Sequence, residues 1–394
     1  MCSAHALSMT GFAAFPALLP LLLDAWAMSN SEAGAISGMF FGGYMLAVPL
    51  LTSLTDRVDA RRVYLFACGL ASAGGFGFAL YADGFWSAAF FQALTGAGLA
   101  GTYMPGLKIL SDHIEGPRQS RWIAIYTSTF GVGTALSLWM AGTIATLTDW
   151  HFAFAAAGTG PLIAGGVVFW RMPPRCPPRA PGPVAALLDF RPVFRNRAVT
   201  GYILAYTAHC WELFGFRTWI VAFLAFAGTM RAGTETMLAG AATLAAVINL
   251  MGQGASILGN EIATLFGRRR VILIIMTLSA VLAFSVGFSG ALPGAVVFAL
   301  MGLYFVVIMG DSGALTAGLV AASAPAQRGA AMAVHSFLGF GAGFVSPVAF
   351  GALLDWGGGK LSVTAWGLAF ASLGIGCALG PVAFAILTFR ARGR

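Results

Sequence analysis

Twelve apolar runs, each long enough to cross a lipid bilayer as a helix, constrain this sequence more than any other feature. A membrane-spanning helix needs about 20 predominantly apolar residues. The runs form two groups of six, and the stretch between the groups, 171–197, is rich in proline and arginine. They lie near 8–28, 33–54, 63–82, 85–111, 121–147 and 152–171, and then near 198–227, 237–260, 271–289, 294–320, 330–353 and 364–389. We therefore predict an all-α membrane protein in which twelve transmembrane helices form two pseudo-symmetric six-helix bundles.

The composition supports this prediction and excludes several other classes of protein. Hydrophobic residues make up 58% of the 394 residues and charged residues only 9%, against about 45–50% and about 25% in soluble domains. The runs are continuous, whereas the strands of a transmembrane barrel alternate apolar and polar residues. The five cysteines have no metal-ligand spacing, so we predict neither a metal site nor a cofactor. A soluble enzyme, a disordered chain and a disulfide scaffold are excluded.

The positions of lysine and arginine predict the orientation, because short cytoplasmic loops carry an excess of these residues. With both termini in the cytoplasm, 18 of the 22 Lys and Arg residues lie on the cytoplasmic side. They cluster between the runs instead of forming one basic face, so we predict no nucleic-acid partner. We expect no cleavable leader, because residues 1–7 lack a basic segment, and no N-x-[ST] sequon is present. These features predict a multi-pass protein of a bacterial inner (plasma) membrane.

An internal repeat indicates that the two halves are copies of one unit. The offset between matching residues is 207 or 206. The matches are Arg61-Arg62 with Arg268-Arg269, Arg121 with Arg328, and Asp149-Trp150 with Asp355-Trp356. Both copies enter the membrane from the same side, an arrangement found in secondary transporters. We predict an N-terminal bundle over 1–172, a cytoplasmic linker over 173–197 and a C-terminal bundle over 198–394.

The turn after the second run carries the most specific motif in the chain. Residues 52–62 read T-S-L-T-D-R-V-D-A-R-R. They resemble the signature G-x-x-x-D-[RK]-x-G-[RK]-[RK] of the major facilitator superfamily, although both signature glycines are replaced and one residue is inserted. The matching positions are Asp56, Arg57, Arg61 and Arg62. Together with the two six-helix halves and the basic linker, this resemblance covers the whole chain and implies the fold of that family.

A second copy of the motif follows the eighth run and keeps part of the pattern. Residues 259–270 retain a glycine before the arginines and have Thr264 in place of the aspartate. The resemblance implies a cytoplasmic gate, in which Asp56 pairs with arginines across the halves in the outward-open state. The alternative is that the arginines only set the topology. The predicted gate residues are Asp56, Arg57, Arg61, Arg62, Gly267 and Arg268.

Two departures from the family pattern bear on the substrate. Drug–proton antiporters of this superfamily usually have an arginine in the fourth helix, where this chain has Gln92. Their fifth helix usually carries a Gly-Pro pair, and the fifth run here contains no proline. The resemblance therefore supports drug efflux less than other kinds of transport.

The seventh run holds the densest group of ionisable residues in any span. It contains His209, Glu212 and Arg217. A charged side chain near the centre of a spanning helix costs about 2.5–3.5 kcal/mol on insertion scales, so a binding site or an ion pathway is the default explanation. At 100° per residue the three side chains cover one broad arc, which we expect to face a watery cleft between the bundles. The alternative is an ion pair that only fixes packing.

Other spans add polar residues to the candidate site. Each has a second interpretation: Lys108 is close enough to the cytoplasmic end to reach water, and a buried histidine is often only a hydrogen-bonded core residue. The full set of candidate substrate-binding or proton-coupling residues is Glu212, Arg217, His209, Asp311, Lys108, His335, Gln92, Tyr103 and Tyr304.

These features predict a secondary active transporter that works by alternating access, as a monomer. No G-x-x-x-x-G-K-[ST] motif is present, so the predicted drive is a proton or exchange gradient, with Glu212 and His209 as the coupling groups. Arg217 and Lys108 favour symport of a small organic or inorganic anion. The alternatives are proton-coupled efflux of amphiphilic drugs, a channel and, more distantly, a polytopic membrane enzyme, for which the membrane faces show no catalytic cluster.

Overall fold

The structure, a computed structural model, describes residues 1–55, 57–114, 118–175, 190–232, 238–324 and 327–389, and nearly all of them are helical. One 3-10 turn covers Ser289–Ala291. The helices are α1 Cys2–Ser8, α2 Ala14–Ala25, α3 Asn30–Leu54, α4 Ala60–Tyr81, α5 Phe85–His113, α6 Arg118–Leu147, α7 Trp150–Arg171, α8 Arg191–Arg195, α9 Arg197–Ala232, α10 Leu238–Phe266, α11 Arg268–Gly287, α12 Gly294–Gly310, α13 Ser312–Ala322, α14 Arg328–Trp356 and α15 Val363–Phe389.

The predicted all-α membrane fold is confirmed by the helices. In the described part of the chain, ten helical segments are long and apolar enough to cross a membrane, with α12 and α13 together as one segment. Two further predicted runs also correspond to helices. The fourth run is α5, and the first run, 8–28, contains α2 and the last residue of α1. Each predicted span therefore has a helix, although two of the spans are interrupted.

Polar side chains cap the N-terminal ends of several helices. Before α3, Ser29 and Glu32 form a capping box, in which each side chain accepts a hydrogen bond from the backbone N–H of the other. The Asp59 carboxylate accepts a hydrogen bond from the Arg61 N–H at 2.9 Å and begins α4. Asp149 begins α7 by accepting a hydrogen bond from the backbone N–H of His151, and this bond lowers the pKa of the exposed Asp149 carboxyl.

The first span is broken, which corrects the prediction of one continuous helix. Residues 9–13 form a turn between α1 and α2. Ser137 of α6 satisfies the backbone at this break, since its hydroxyl donates to the Thr10 carbonyl at 2.6 Å and accepts from the Ala13 N–H at 3.0 Å. The Thr10 hydroxyl donates to the Ala157 carbonyl of α7 at 2.8 Å. A side chain of a neighbouring helix thus supplies hydrogen-bond partners for two backbone groups at the break.

The run predicted over 294–320 is also interrupted, at Asp311. This residue ends α12 and precedes α13, although its φ and ψ of −93° and −18° stay in the helical region. Just before it, α12 approaches α10 very closely. A Cβ added to Gly259 would lie 1.8 Å from the Gly310 carbonyl oxygen. Small residues permit this approach between helix backbones.

The chain divides into two compact units, which we describe separately. The first unit contains Met1–Pro181, Thr218–Ala225 and Glu235–Leu250, and the second contains Gly182–Arg217, Phe226–Thr234 and Met251–Arg394. The domain boundaries 1–172, 173–197 and 198–394 stay a prediction. Most of the predicted linker, 176–189, lies outside the described residues, and α8 covers part of its remainder.

Candidate functional site

Six of the predicted site residues are buried in the second unit, in a set that we call the carboxyl cluster. Helix α9 supplies three of them, α12 and its end supply two, and α14 supplies one. They are His209, Glu212, Arg217, Tyr304, Asp311 and His335. At most 7% of any of these residues is exposed. The second unit therefore carries most of the ionisable chemistry that the sequence places inside the membrane.

Glu212 is held by two neutral hydroxyl groups from different helices. The Tyr304 hydroxyl of α12 donates to Glu212 Oε1 at 2.8 Å. The Ser279 hydroxyl of α11 donates to Oε2, also at 2.8 Å. Both carboxyl oxygens thus have a donor, which a buried carboxyl group needs. Ser279 could not be found from the sequence, because a serine in an apolar helix has no distinguishing pattern.

His209 has a different partner, the carboxyl group of Asp311. The His209 Nδ1 and Asp311 Oδ1 atoms are 2.7 Å apart, and both side chains are almost fully buried. Their angles do not meet those of a hydrogen bond, so the structure shows a close contact between the two side chains. Asp311 is also the residue at which α12 gives way to α13. The His209 contact is therefore located at the interruption of the span.

Rings and a guanidinium group complete the carboxyl cluster. The His335 ring stacks on Tyr206, with ring centres 3.6 Å apart. The Tyr206 ring also stacks near His209, at 5.7 Å. The Arg217 guanidinium lies 5.5 Å from the centre of the Phe305 ring, within the range of a cation–π contact. The cleft that Glu212, His209 and Arg217 were expected to face stays a prediction.

The other three predicted site residues are on α5, in the first unit. Gln92 is buried, and Tyr103 and Lys108 are half-buried. Tyr103 alone belongs to a polar group there, which contains His5. Among the described residues, no group of three or more His, Cys, Asp or Glu side chains has an arrangement that could hold a metal ion.

Sequence reasoning missed His5, which is fully buried in the first unit. Its Nδ1 atom lies 2.7 Å from the Thr129 hydroxyl oxygen of α6. Its ring centre is 4.7 Å from that of Tyr126 and 5.1 Å from that of Tyr103. We call these four residues the histidine cluster. His5 could not be identified from the sequence, because it precedes the first apolar run.

The predicted gate residues lie mostly at exposed helix ends. Asp56 lies outside the described residues, and Arg57, Arg62 and Gly267 are exposed. Arg61 contacts the end of α7 in its own unit: its Nη2 donates to the Phe169 carbonyl at 2.6 Å, and its guanidinium lies over the Phe169 ring.

The second unit repeats this contact between its own helices. Arg269 donates to the Thr388 hydroxyl of α15 at 3.0 Å. The Nε atom of its neighbour Arg268 is buried without a hydrogen bond in the described part of the chain. In each unit, an arginine at the start of one helix therefore holds the end of another helix of the same unit. The predicted pairing of arginines with Asp56 across the halves stays a prediction.

Comparison with known proteins gives a family match over most of the chain. Residues 1–336 match the family described as the Major Facilitator Superfamily. The "Niacin transporter NiaP" of Acinetobacter baylyi is 26% identical over 168 residues, which are 43% of this chain and 37% of that protein. "Protein spinster homolog 1" of Homo sapiens is 25% identical over 222 residues, 52% of this chain and 41% of that protein. The chain thus spans about two fifths of the length of these relatives.

Solved structures show the same fold across nearly the whole chain. A bacterial homologue of the human lysosomal transporter Spinster, in an inward-facing and occupied conformation, has a TM-score of 0.76 at 14% identity, and the match covers 98% of this chain and 94% of that one. A D-xylose-proton symporter has a TM-score of 0.75 at 15% identity, with coverage of 97% and 95%. At these identities the likeness concerns the fold alone.

Proposed function

The chain belongs to the major facilitator superfamily, and from that premise we propose that it is a proton-coupled secondary transporter. It moves a small anion across the membrane by alternating access. The proposal places a monomer in a bacterial inner membrane with both termini in the cytoplasm. The bacterial relative and the distribution of lysine and arginine support this placement.

The observation that carries the proposal is the environment of Glu212. Its two carboxyl oxygens accept hydrogen bonds from the Tyr304 and Ser279 hydroxyl groups. Hydroxyl groups both donate and accept hydrogen bonds. A proton can therefore bind to Glu212 if one hydroxyl turns and accepts from the new O–H group, so the three helices stay connected in both protonation states. Protonation also removes the cost of a charge inside the membrane.

The His209–Asp311 pair is the second coupling element in this proposal. A proton that binds to Asp311 removes the negative charge and weakens its attraction to the histidine. Because Asp311 separates α12 from α13, the loss of this contact acts directly on the interrupted part of the span. Proton binding thus has a local route to a change in helix geometry, which coupled transport requires.

The substrate in this proposal is a small organic anion. Arg217 supplies a buried positive charge beside an aromatic ring, and guanidinium groups are suited to binding carboxylates. A relative in Acinetobacter baylyi is named as a niacin transporter. Niacin is an aromatic carboxylic acid, so its anion, nicotinate, combines the charge and the ring that this site would bind. Nicotinate is therefore the first solute to assay.

The test is uptake of radiolabelled nicotinate by proteoliposomes that contain the purified protein. We expect accumulation when the side from which the solute enters is acidic, and we expect a protonophore to abolish it. Protein-free liposomes provide the background. Uptake that saturates but is indifferent to the pH gradient would contradict proton coupling. A further panel of small anions in the same assay tests the substrate class, and transport of none of them would contradict the proposal.

A further inference from the structure

An open groove lies between α11 and α15 on the surface of the second unit. Its volume is about 460 Å³, and four residues of each helix line it. All of the lining side chains except that of Thr277 are apolar. None of these residues belongs to the carboxyl cluster, so the proposed function leaves the groove without a role.

Short side chains leave the space that forms the groove. Ala280 on α11 and Ala378 on α15 each contribute only a methyl group to its lining. Around them, Val281 is 58% exposed, Val382 is 57% exposed and Phe284 is 44% exposed. Lipid tails are as apolar as these side chains, so a hydrocarbon chain matches the groove in polarity.

A guanidinium group lies at one end of the groove. Arg269, near the start of α11, donates from Nη2 to the Ala385 carbonyl at 3.4 Å and from Nε to the Thr388 hydroxyl at 3.0 Å. Ala385 is also one of the lining residues of the groove. The apolar surface and the positive charge are therefore contiguous.

A second arginine lies on the same face of α11 as the groove. Arg270 is exposed, and the sequence spacing from Arg270 to Thr277 and from Thr277 to Phe284 is seven residues. Seven residues are close to two full turns, or about 10 Å along the helix. A group bound at Arg270 can thus be joined to a chain that continues into the groove.

We infer that the groove binds one acyl chain of an anionic phospholipid, and that the phosphate of this lipid contacts Arg269 and Arg270. Guanidinium groups bind phosphate oxygens with paired hydrogen bonds. Basic pockets between membrane-spanning helices are known to bind anionic headgroups. The arginines begin α11, and α11 spans the membrane, so their charges lie at the depth of the headgroups.

Charge also distinguishes this occupant from a second copy of the chain. A symmetric dimer uses the same surface patch of both subunits. Two copies that paired through the groove in one membrane would bring residues 268–270, three consecutive arginines, against the same three of the partner. Like charges oppose that contact. The inference needs only the membrane-spanning fold, so it does not depend on what the protein transports.

The test is native mass spectrometry of the full chain in detergent, titrated with one lipid at a time. We expect dioleoylphosphatidylglycerol, which is anionic, to bind more tightly than dioleoylphosphatidylethanolamine, which has the same chains and no net charge. Arg270→Gln should weaken binding of the anionic lipid about fivefold, because one arginine near a membrane surface contributes about 1 kcal/mol. Arg171→Gln, at another exposed helix end, is the matched control and should leave the affinity unchanged.

A second pair of variants tests the groove itself. Ala378→Phe fills it and should abolish tight binding of the anionic lipid, whereas Leu379→Phe adds bulk at an exposed neighbouring position outside the lining and should not. If Ala378→Phe does not fold, Val382→Thr makes the groove more polar at nearly constant volume and should weaken binding.

Four outcomes would overturn the inference. They are equal affinity for the two lipids, an effect of Arg270→Gln no larger than that of Arg171→Gln, wild-type affinity in the groove variants, and binding of glycerol 3-phosphate as tight as that of the anionic lipid. The last would show that the phosphate binds without the chain. Because no transport is measured, failure here leaves the proposed function untouched, and the reverse also holds.

Discussion

The two units bury their ionisable groups in different ways, although each unit surrounds a group on one helix with partners from others. In the carboxyl cluster of the second unit, Glu212 accepts hydrogen bonds from hydroxyl groups on two helices, and Asp311 contacts His209. In the histidine cluster of the first unit, His5 has one hydroxyl partner and is otherwise enclosed by rings. The second unit thus links its buried carboxyl group to several helices, whereas the first unit encloses one histidine mainly in aromatic rings.

The largest expected effect tests whether the carboxyl cluster drives transport. Glu212→Gln keeps the size of the side chain but cannot bind and release a proton. We expect it to abolish proton-driven accumulation of nicotinate in proteoliposomes and to spare counterflow exchange, which needs no net proton movement. Asp83→Asn, at an exposed position, is the matched control and should behave as the wild type. Normal accumulation by Glu212→Gln would remove the functional difference between the two clusters.

The second prediction concerns the contact at the break in the tenth span. Asp311→Asn leaves His209 without its carboxyl partner. Breaking a buried pair by removing one partner costs about 3–5 kcal/mol, so we expect a clear loss of stability in thermal unfolding. Adding His209→Gln should recover part of that loss, because no buried histidine is then left alone. A double-mutant cycle measures the coupling, and a coupling near zero would show that the 2.7 Å contact does not stabilise the unit.

The third prediction separates the two hydroxyl partners of Glu212. Tyr304→Phe and Ser279→Ala each remove one donor while leaving most of the packing. Each loss should lower the free energy of unfolding by about 1–3 kcal/mol, the cost of leaving one buried polar atom unsatisfied. Proton-driven uptake should fall in both variants and should persist above that of Glu212→Gln. Equal, complete loss of uptake in all three variants would mean that the hydroxyls carry the proton themselves.

The smallest expected effect belongs to the first unit. Thr129→Val removes the hydroxyl that lies 2.7 Å from His5 Nδ1 and should cost about 1 kcal/mol, the net value of one typical hydrogen bond. Thr129→Ser keeps the hydroxyl and is the control. The measurement is the unfolding temperature of both variants in the same detergent. A destabilisation as large as that of Asp311→Asn would show that the two units depend equally on their polar contacts.

Much of the fold was predictable, because the membrane leaves few choices. A run of about 20 apolar residues must satisfy its own backbone hydrogen bonds, and a helix does so. The same reasoning selected Glu212 and His209 as candidate site residues, since an ionisable group in an apolar run needs a physical explanation. It did not predict the partners of these residues. Ser279 lies 67 residues from Glu212 along the chain, and no local pattern links the two.

The breaks in the helices could not be predicted from the local sequence pattern. The turn at 9–13 depends on Ser137, whose hydroxyl takes over hydrogen bonds 124 and 127 residues away. The local sequence around residues 9–13 would be the same whether or not a serine on another helix supported a break there. His5 was missed for a related reason, because its burial comes from rings on α5 and α6 and not from its own neighbours along the chain.

The close approach of α10 to the end of α12 limits how the tenth span can move. Gly259 leaves no space for a side chain against Gly310, and the next residue is Asp311, where the two helical segments meet. If the span bends at Asp311, the adjacent backbone of α10 is therefore the point about which it bends. The segment α13 can turn about this point. It cannot move away from α10 without leaving a gap in the apolar packing. If Asp311 takes part in coupling as proposed, we expect the resulting change to turn α13 about this contact with α10.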